Sequence, residues 1–211
     1  MSDNVKRTIT NAKKPTGFWG SRILSSMNIH HDALTNWGLE HVSIDPQFHI
    51  LDIGCGGGNA LSKMSKMAVD GKLCGIDHSE VSVKESKKKN KEDVKSGKIE
   101  IIQGSVSHLP YEQHSFDLVT GIETYYFWPN PIEDLKEVKR VLKPNGSILL
   151  IFEARSDNNP EIWKDYRDIV DMHIPSEKGI KEELAEAGFS EIITDTKGDW
   201  LCVVGKKNSK I

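Results

Sequence analysis

Cysteine is scarce in this chain. The three present, Cys55, Cys74 and Cys202, are odd in number and sit in or beside apolar runs. That excludes a disulfide framework and fits a reduced compartment, so a cytoplasmic location is expected. No apolar run approaches the roughly 18 residues that a membrane span requires. Residues 1–14 are polar and lack the apolar core of a signal peptide, so they read as a flexible tail. Positive charge is not in excess: 28 Lys and Arg stand against 31 Asp and Glu, a formal net charge of −3. No overall basic field is available to recruit nucleic acid or an anionic membrane, and neither partner is expected. The lysine-rich stretch 84–98 reads as a solvated helix face. Repeats and low-complexity blocks are absent, and oligomeric state has no signature. What remains is a chain of 211 residues, 37% hydrophobic and 28% charged, enough for one ordinary core.

Within that composition a strand–helix rhythm is plain. Residues 15–45 read as an N-terminal helical cap, broken near Gly38, with Phe18, Trp19, Ile23, Leu24 and Met27 at helical spacing. From residue 46 the pattern alternates. Strands are expected at 49–53, 72–77, 99–103, 115–121 and 147–152. Helices are expected at 59–69, from Ser79 to about Lys95, and from Asn130-Pro131, where Glu133 stands in capping-box position. Residues 153–175 leave the rhythm and read as a lid-like insertion, with Ile162, Tyr166, Ile169 and Val170 on one helical face. A helix at 176–187 and two strands, 189–194 and 200–204, complete the chain. Strands alternating with helices imply a parallel sheet with right-handed crossovers. The last two strands are joined too tightly for a crossover, so one of them runs antiparallel. The expected fold is therefore α/β: a Rossmann-like seven-stranded mixed sheet, mostly parallel, with helices on both faces.

The densest signal is Ile50-Leu51-Asp52-Ile53-Gly54-Cys55-Gly56-Gly57-Gly58-Asn59. It reads as a buried strand, a glycine turn and a helix N-terminus. Glycines permit positive φ and let a ligand approach the main chain, while the helix start offers free N–H groups. In an open α/β sheet this turn lies where ligands bind. A dinucleotide site would want a third glycine where Asn59 stands. An acid at the end of the second strand, Asp77, could accept from two ribose hydroxyls, as it could in either kind of nucleotide site.

The spacing Asp52-x-Gly54-x-Gly56-x-Gly58 resembles motif I of the class I S-adenosylmethionine-dependent methyltransferases. The ordered series after it agrees: Asp77, then Gln103 to Tyr111, Ser115 to Val119, and Glu137 to Ser147 with Lys143-Pro144-Asn145-Gly146 at its end. The series is similar to the small-molecule enzymes of ubiquinone and menaquinone biosynthesis. The resemblance implies S-adenosylmethionine as the cofactor and a small-molecule methyl acceptor as the partner. It implies that Asp52, Gly54, Cys55 and Gly56 lie at the methionine part, Asp77 at the ribose, and His78 beside the adenine. Ser105 and Val106 would line the adenine edge, and Ile122 would lie near the sulfonium. Many relatives carry Asp where this chain has Ser105, so the adenine grip here rests on a neutral hydroxyl or on the Val106 backbone.

Methyl transfer from a sulfonium asks mainly for alignment and exclusion of water. A base helps when the nucleophile carries a proton. Glu123 and Tyr125 are the candidate catalytic residues. Trp19, Arg22, His30, Tyr126 and Trp128 are the candidates that face substrate. Base-amino methyltransferases carry a Pro-Pro-aromatic turn after the fourth strand, whereas Asn130-Pro131 comes too late and reads as a helix cap. His30-His31-Asp32 invites a metal reading, but adjacent helical residues point about 100° apart, so a surface pair and no metal are expected. Two other readings stay open: a protein that binds the cofactor without turnover, and a nucleotide-linked oxidoreductase.

Overall fold

Apolar residues run without a break along the central strands because both faces of the sheet are covered. In the computed structural model, Leu51, Ile53, Val119, Ile148, Leu150 and Phe152 pack on one face. Their neighbours Ile50, Leu118, Leu149 and Ile151 pack on the other. The period of two along each strand thus feeds two cores at once. The structure describes residue 10, residues 13–159, residues 161, 163, 164, 169 and 170, and residues 172–209.

Among the described elements, the helices α1 (Gly17–His30) and α2 (Asp32–Leu39) precede the sheet. There follow β1 (His49–Ile53), α3 (Asn59–Met67), β2 (Lys72–Asp77), α4 (Glu80–Lys89), α5 (Lys91–Lys95) and β3 (Ile99–Gln103). Next come β4 (Phe116–Ile122), a 3₁₀ turn at Tyr125–Phe127, α6 (Pro131–Val141) and β5 (Leu142–Phe152). The described elements end with α7 (Glu177–Glu186), β6 (Ser190–Lys197) and β7 (Trp200–Lys206). The seven strands lie in the order β3-β2-β1-β4-β5-β7-β6. All pairs are parallel except β5 with β7 and β6 with β7. The single antiparallel strand is therefore β7, as the short link before it requires.

Several boundaries differ from the expected ones for local reasons. The helix expected from Ser79 to Lys95 breaks at Asn90, whose amide turns inward and donates to Gly58 O and Ser86 O, both at 3.0 Å. The capping partner at α6 is Asp134, which accepts from Asn130 N at 2.9 Å, while Glu133 pairs outward with Lys136. Strand β5 begins at Leu142, before the turn residues, because Asn145 takes φ +64° and donates its N–H to Lys207 O. The terminal hairpin is shifted, with β6 running on to Lys197. Of the lid-like stretch, Ile162 and Tyr166 lie outside the described residues, as do the side chains of Phe18 and Trp19.

Strand order reverses between β1 and β4, and the crevice outside their carboxyl ends is the place this topology gives to a ligand. Among the described residues no helix is long and apolar enough to cross a membrane.

Candidate functional site

The glycine turn after β1 forms because three of its residues take positive φ: Gly54 at +69°, Gly56 at +50° and Gly58 at +77°. Each neighbour approaches closely. A Cβ on Gly54 would lie 2.1 Å from Thr124 Oγ1, and one on Gly57 would lie 2.3 Å from the Asn28 amide of α1. A Cβ on Gly56 would meet Leu24 at 3.7 Å and would project into the cavity beside it. Asn59, in the third-glycine place, donates from its side chain to Asp32 Oδ1 at 2.9 Å and so ties α3 to the N-terminal helices. That role needs an amide, where a dinucleotide fold needs a glycine.

Asp77 ends β2 and is 7% exposed. Its Oδ2 accepts from Gly56 N at 2.9 Å and its Oδ1 from Ser79 N at 2.8 Å. Each oxygen keeps a further lone pair for a hydroxyl. Asp52 is 2% exposed and accepts from Thr120 Oγ1 at 2.7 Å. Burial pushes its carboxyl up to about 7, against the Thr120 bond, with Asp77 adding to the rise. The Cys55 thiol is also held up, first by burial and then by the two aspartates, so it is no nucleophile. His78 is depressed by partial burial, although Asp77 opposes this.

A stability prediction follows from Asp52. Its native value lies above the ordinary carboxyl value near 4, so between those pH values the native state keeps a proton that the unfolded state has lost. Stability contributed by this group therefore falls as pH rises from about 4 to about 7, then levels off. Asp52→Asn keeps the acceptor for Thr120 and removes the titration. In thermal melts without ligand, the variant should gain clearly on the parent at pH 8 and much less at pH 5. An equal gain at both pH values would refute it.

These groups face one cavity of about 430 Å³. Asp52, Gly54, Cys55, Gly56, Asp77, His78, Ser105, Val106 and Ile122 all line it, as does Trp128. The Trp128 indole nitrogen is buried with no protein acceptor among the described residues. A second, more apolar chamber of about 260 Å³ adjoins the first. Its walls include Ile23, Met27, Tyr126, Phe127, Trp163 and Met172, and its polar corner is His30, His31, Glu123 and Glu153. Met27, His31, Glu123 and Phe127 line both spaces.

The candidates named for chemistry are redistributed. Tyr125 is wholly buried, donates its hydroxyl to Glu183 Oε2 at 2.6 Å and lines neither cavity, so it is a packing residue. Glu123 does reach the junction, at φ +58°. Burial, and then the Glu153 carboxylate, raise its carboxyl well above the ordinary value. Its Oε1 accepts from Glu153 N and from Tyr126 Oη, the latter at 3.2 Å. Held by these two bonds, the Glu123 carboxyl ties the residue after β4 to the residue after β5. Trp128 lines the first cavity, not the second. Arg22 lies on α1 and is not among the lining residues of either; the Trp19 side chain lies outside the described residues.

Of the expected surface pair, His30 is exposed, while the His31 side chain is only 15% exposed. α1 ends at His30, and His31 is a junction residue at φ −87°, ψ 5°. Both imidazoles therefore turn toward Glu153, whose carboxylate ionises more readily than usual because they outweigh its burial. The signal for Glu153 was available: a charged residue directly after the apolar run of β5, at the carboxyl edge beside β4. His31 was visible as part of His30-His31-Asp32, whereas Met172 had no comparable signal.

The residues fit a nucleotide-like donor: a glycine cradle that a Cβ would fill, an acid with spare lone pairs, and an orphaned indole N–H. The comparisons with known proteins agree. A methyltransferase domain family matches residues 51–150. An uncharacterized methyltransferase of Bacillus subtilis, YdaC, is 29% identical over 141 residues, covering 66% of this chain and 76% of that protein. A demethylmenaquinone methyltransferase of Lactococcus lactis is 40% identical over 103 residues, covering 48% of this chain but only 40% of the relative. A solved SAM-dependent methyltransferase from Aquifex aeolicus superposes with a TM-score of 0.71 at 20% identity, covering 88% of this chain and 97% of that one. The sheet order, the glycine cradle and the family match together define a class I fold for methyl transfer. The chain is similar to the class I S-adenosylmethionine-dependent methyltransferases, and within them to the quinone-methylating enzymes.

Proposed function

We propose that the chain transfers a methyl group from S-adenosylmethionine to a small, largely apolar acceptor by in-line displacement. The observation that carries this is the pair of adjoining cavities, a polar one built on the glycine turn and an apolar aromatic one behind it. Bound in the first, S-adenosylmethionine supplies an electrophilic methyl group on a positive sulfur.

The chain's own residues do the positioning. The Gly54–Gly56 backbone holds the amino-acid part, and Asp77 accepts from the ribose. His78, Ser105 and Val106 enclose the base, and Ile122 faces the sulfur. Tyr126, Phe127, Trp163 and Met172 enclose an acceptor and exclude water, which alignment of this kind needs. Residues 15–45 act as a cap and 153–175 as a lid over a domain that spans 46–211. Lys13, just before the cap, donates from Nζ to Val170 O of the lid stretch at 2.8 Å. Ser79 Oγ donates to Pro15 O at 2.6 Å and seats the cap on the donor side. A cytoplasmic setting is supported by three unpaired cysteines.

The test has two stages. Calorimetry should show S-adenosylhomocysteine binding in the micromolar range, and no binding of NAD. A screen of quinols, phenols, thiols and amines for S-adenosylhomocysteine release should then find turnover. Binding without any turnover would favour a sensor or partner subunit; NAD binding alone would sink the proposal.

A further inference from the structure

We propose that His30, His31 and Glu153 form a binding site for a divalent transition metal, zinc by preference, in the polar corner of the acceptor chamber. Two are adjacent at the junction of α1 and α2, and the third comes from the far end of β5. His30 closes α1, His31 links it to α2, and Glu153 follows the last residue of β5. Their three donor atoms lie within 4.8 Å of one another.

The spacing is more specific than that. Both imidazole Nε2 atoms converge on one oxygen, Glu153 Oε2, at 3.3 and 3.4 Å. A charge-assisted hydrogen bond would be shorter, about 2.7–2.9 Å. Ligand bonds of about 2.0–2.1 Å place tetrahedral donors about 3.3 Å apart, whereas an octahedral cis edge would be about 2.9 Å. The observed separations match the tetrahedral edge. What remains is to bring the two nitrogens together, and the His30 side chain, 73% exposed, has room to turn.

Two imidazoles and one carboxylate are a borderline N/O donor set, which suits zinc. Three protein ligands leave a fourth position open. All three residues line the apolar chamber, so that position faces the space proposed for the acceptor. Glu153 is held from behind, since its N–H donates to the buried Glu123 carboxyl, which the Tyr126 hydroxyl also engages. Outer partners of this kind fix ligand orientation. An acceptor thiol or hydroxyl taking the fourth position would bind as its anion and release its proton to solvent. That last role rests on the methyltransferase reading; metal binding itself does not.

Cobalt(II) is the probe, on the full chain without a polyhistidine tag and after chelator treatment. Titration should give a single bound equivalent with the strong visible absorption of four-coordinate cobalt, displaced by zinc. His30→Ala, whose exposed side chain can be lost without disturbing the fold, and Glu153→Gln should each weaken binding by about 100-fold or more, beyond the loss that outer partners cause. His49→Gln, at the exposed start of β1, should bind as the parent does. Absence of a stoichiometric complex, a pale six-coordinate spectrum, or equal binding by both variants would overturn the site. S-adenosylhomocysteine affinity measured on the same metal-free protein reports separately on the donor cavity.

Discussion

Asp77→Ala is expected to lower the affinity for S-adenosylhomocysteine by about 100-fold or more while leaving the secondary structure intact. Two effects add. The carboxylate is the proposed acceptor for the ribose, and hydrogen bonds to a charged group contribute about 1.5–3 kcal/mol each. Its two oxygens also hold Gly56 N at 2.9 Å and Ser79 N at 2.8 Å. Those bonds fix the shape of the glycine turn and the start of α4. Removing them leaves donors short of a partner in a site that is 7% exposed, so the ligand-free protein should also lose about 1–3 kcal/mol of stability. Asp77→Asn separates the two effects, since it keeps an acceptor oxygen but loses the charge. Calorimetry beside urea unfolding reads both quantities. Near-parental affinity in a folded Asp77→Ala protein would remove the residue from the donor site.

The second large effect is expected at Gly54. Alanine there must hold φ near +69°, a region that costs a non-glycine residue about 1–2 kcal/mol. Its Cβ would also sit 2.1 Å from Thr124 Oγ1, and relieving such overpacking costs about 1–3 kcal/mol more. Thr124 follows Glu123 at the junction of the two cavities, so the displacement should reach the site and abolish donor binding. Gly97→Ala is the matched control: φ is +78°, and nothing lies within 4 Å of the new Cβ. Urea unfolding should show Gly54→Ala losing about twice as much as Gly97→Ala or more, with only the first losing affinity for S-adenosylhomocysteine. Equal losses would mean that the close approach to Thr124 is relieved without consequence.

The lining of the first cavity was legible in the sequence because its residues are nearly contiguous. Asp52 to Gly58 form one strand end and one turn, Asp77 closes β2, and Ser105 lies two residues past the end of β3. The sheet was legible for the same reason, including the single reversed strand. The acceptor half was not. Its corner joins His31 to Glu153, and its wall joins Tyr126 to Met172, so only tertiary packing brings these residues together. Helical spacing did not reveal that His31 turns inward while His30 stays exposed, because α1 ends between them. Aromatic type misled at Tyr125, whose ring faces Trp128 and Phe152 inside the core. The break at Asn90 was equally hidden, since its bond to Gly58 O joins positions 32 residues apart.

That Asn90 bond has a consequence for how such a chain can change over evolutionary time. It ties the end of α4 to the glycine turn, and Asp77 ties the start of α4 to the same turn. The glycine turn is thereby braced from inside residues 50–106, while the cap adds Leu24, Asn28 and Thr35 to the wall of the first cavity. The lid stretch contributes none of its described residues to that wall, so it can drift or be exchanged while the turn keeps its shape. Transplanting the lid of a relative onto this core should accordingly shift the choice of acceptor and spare donor binding.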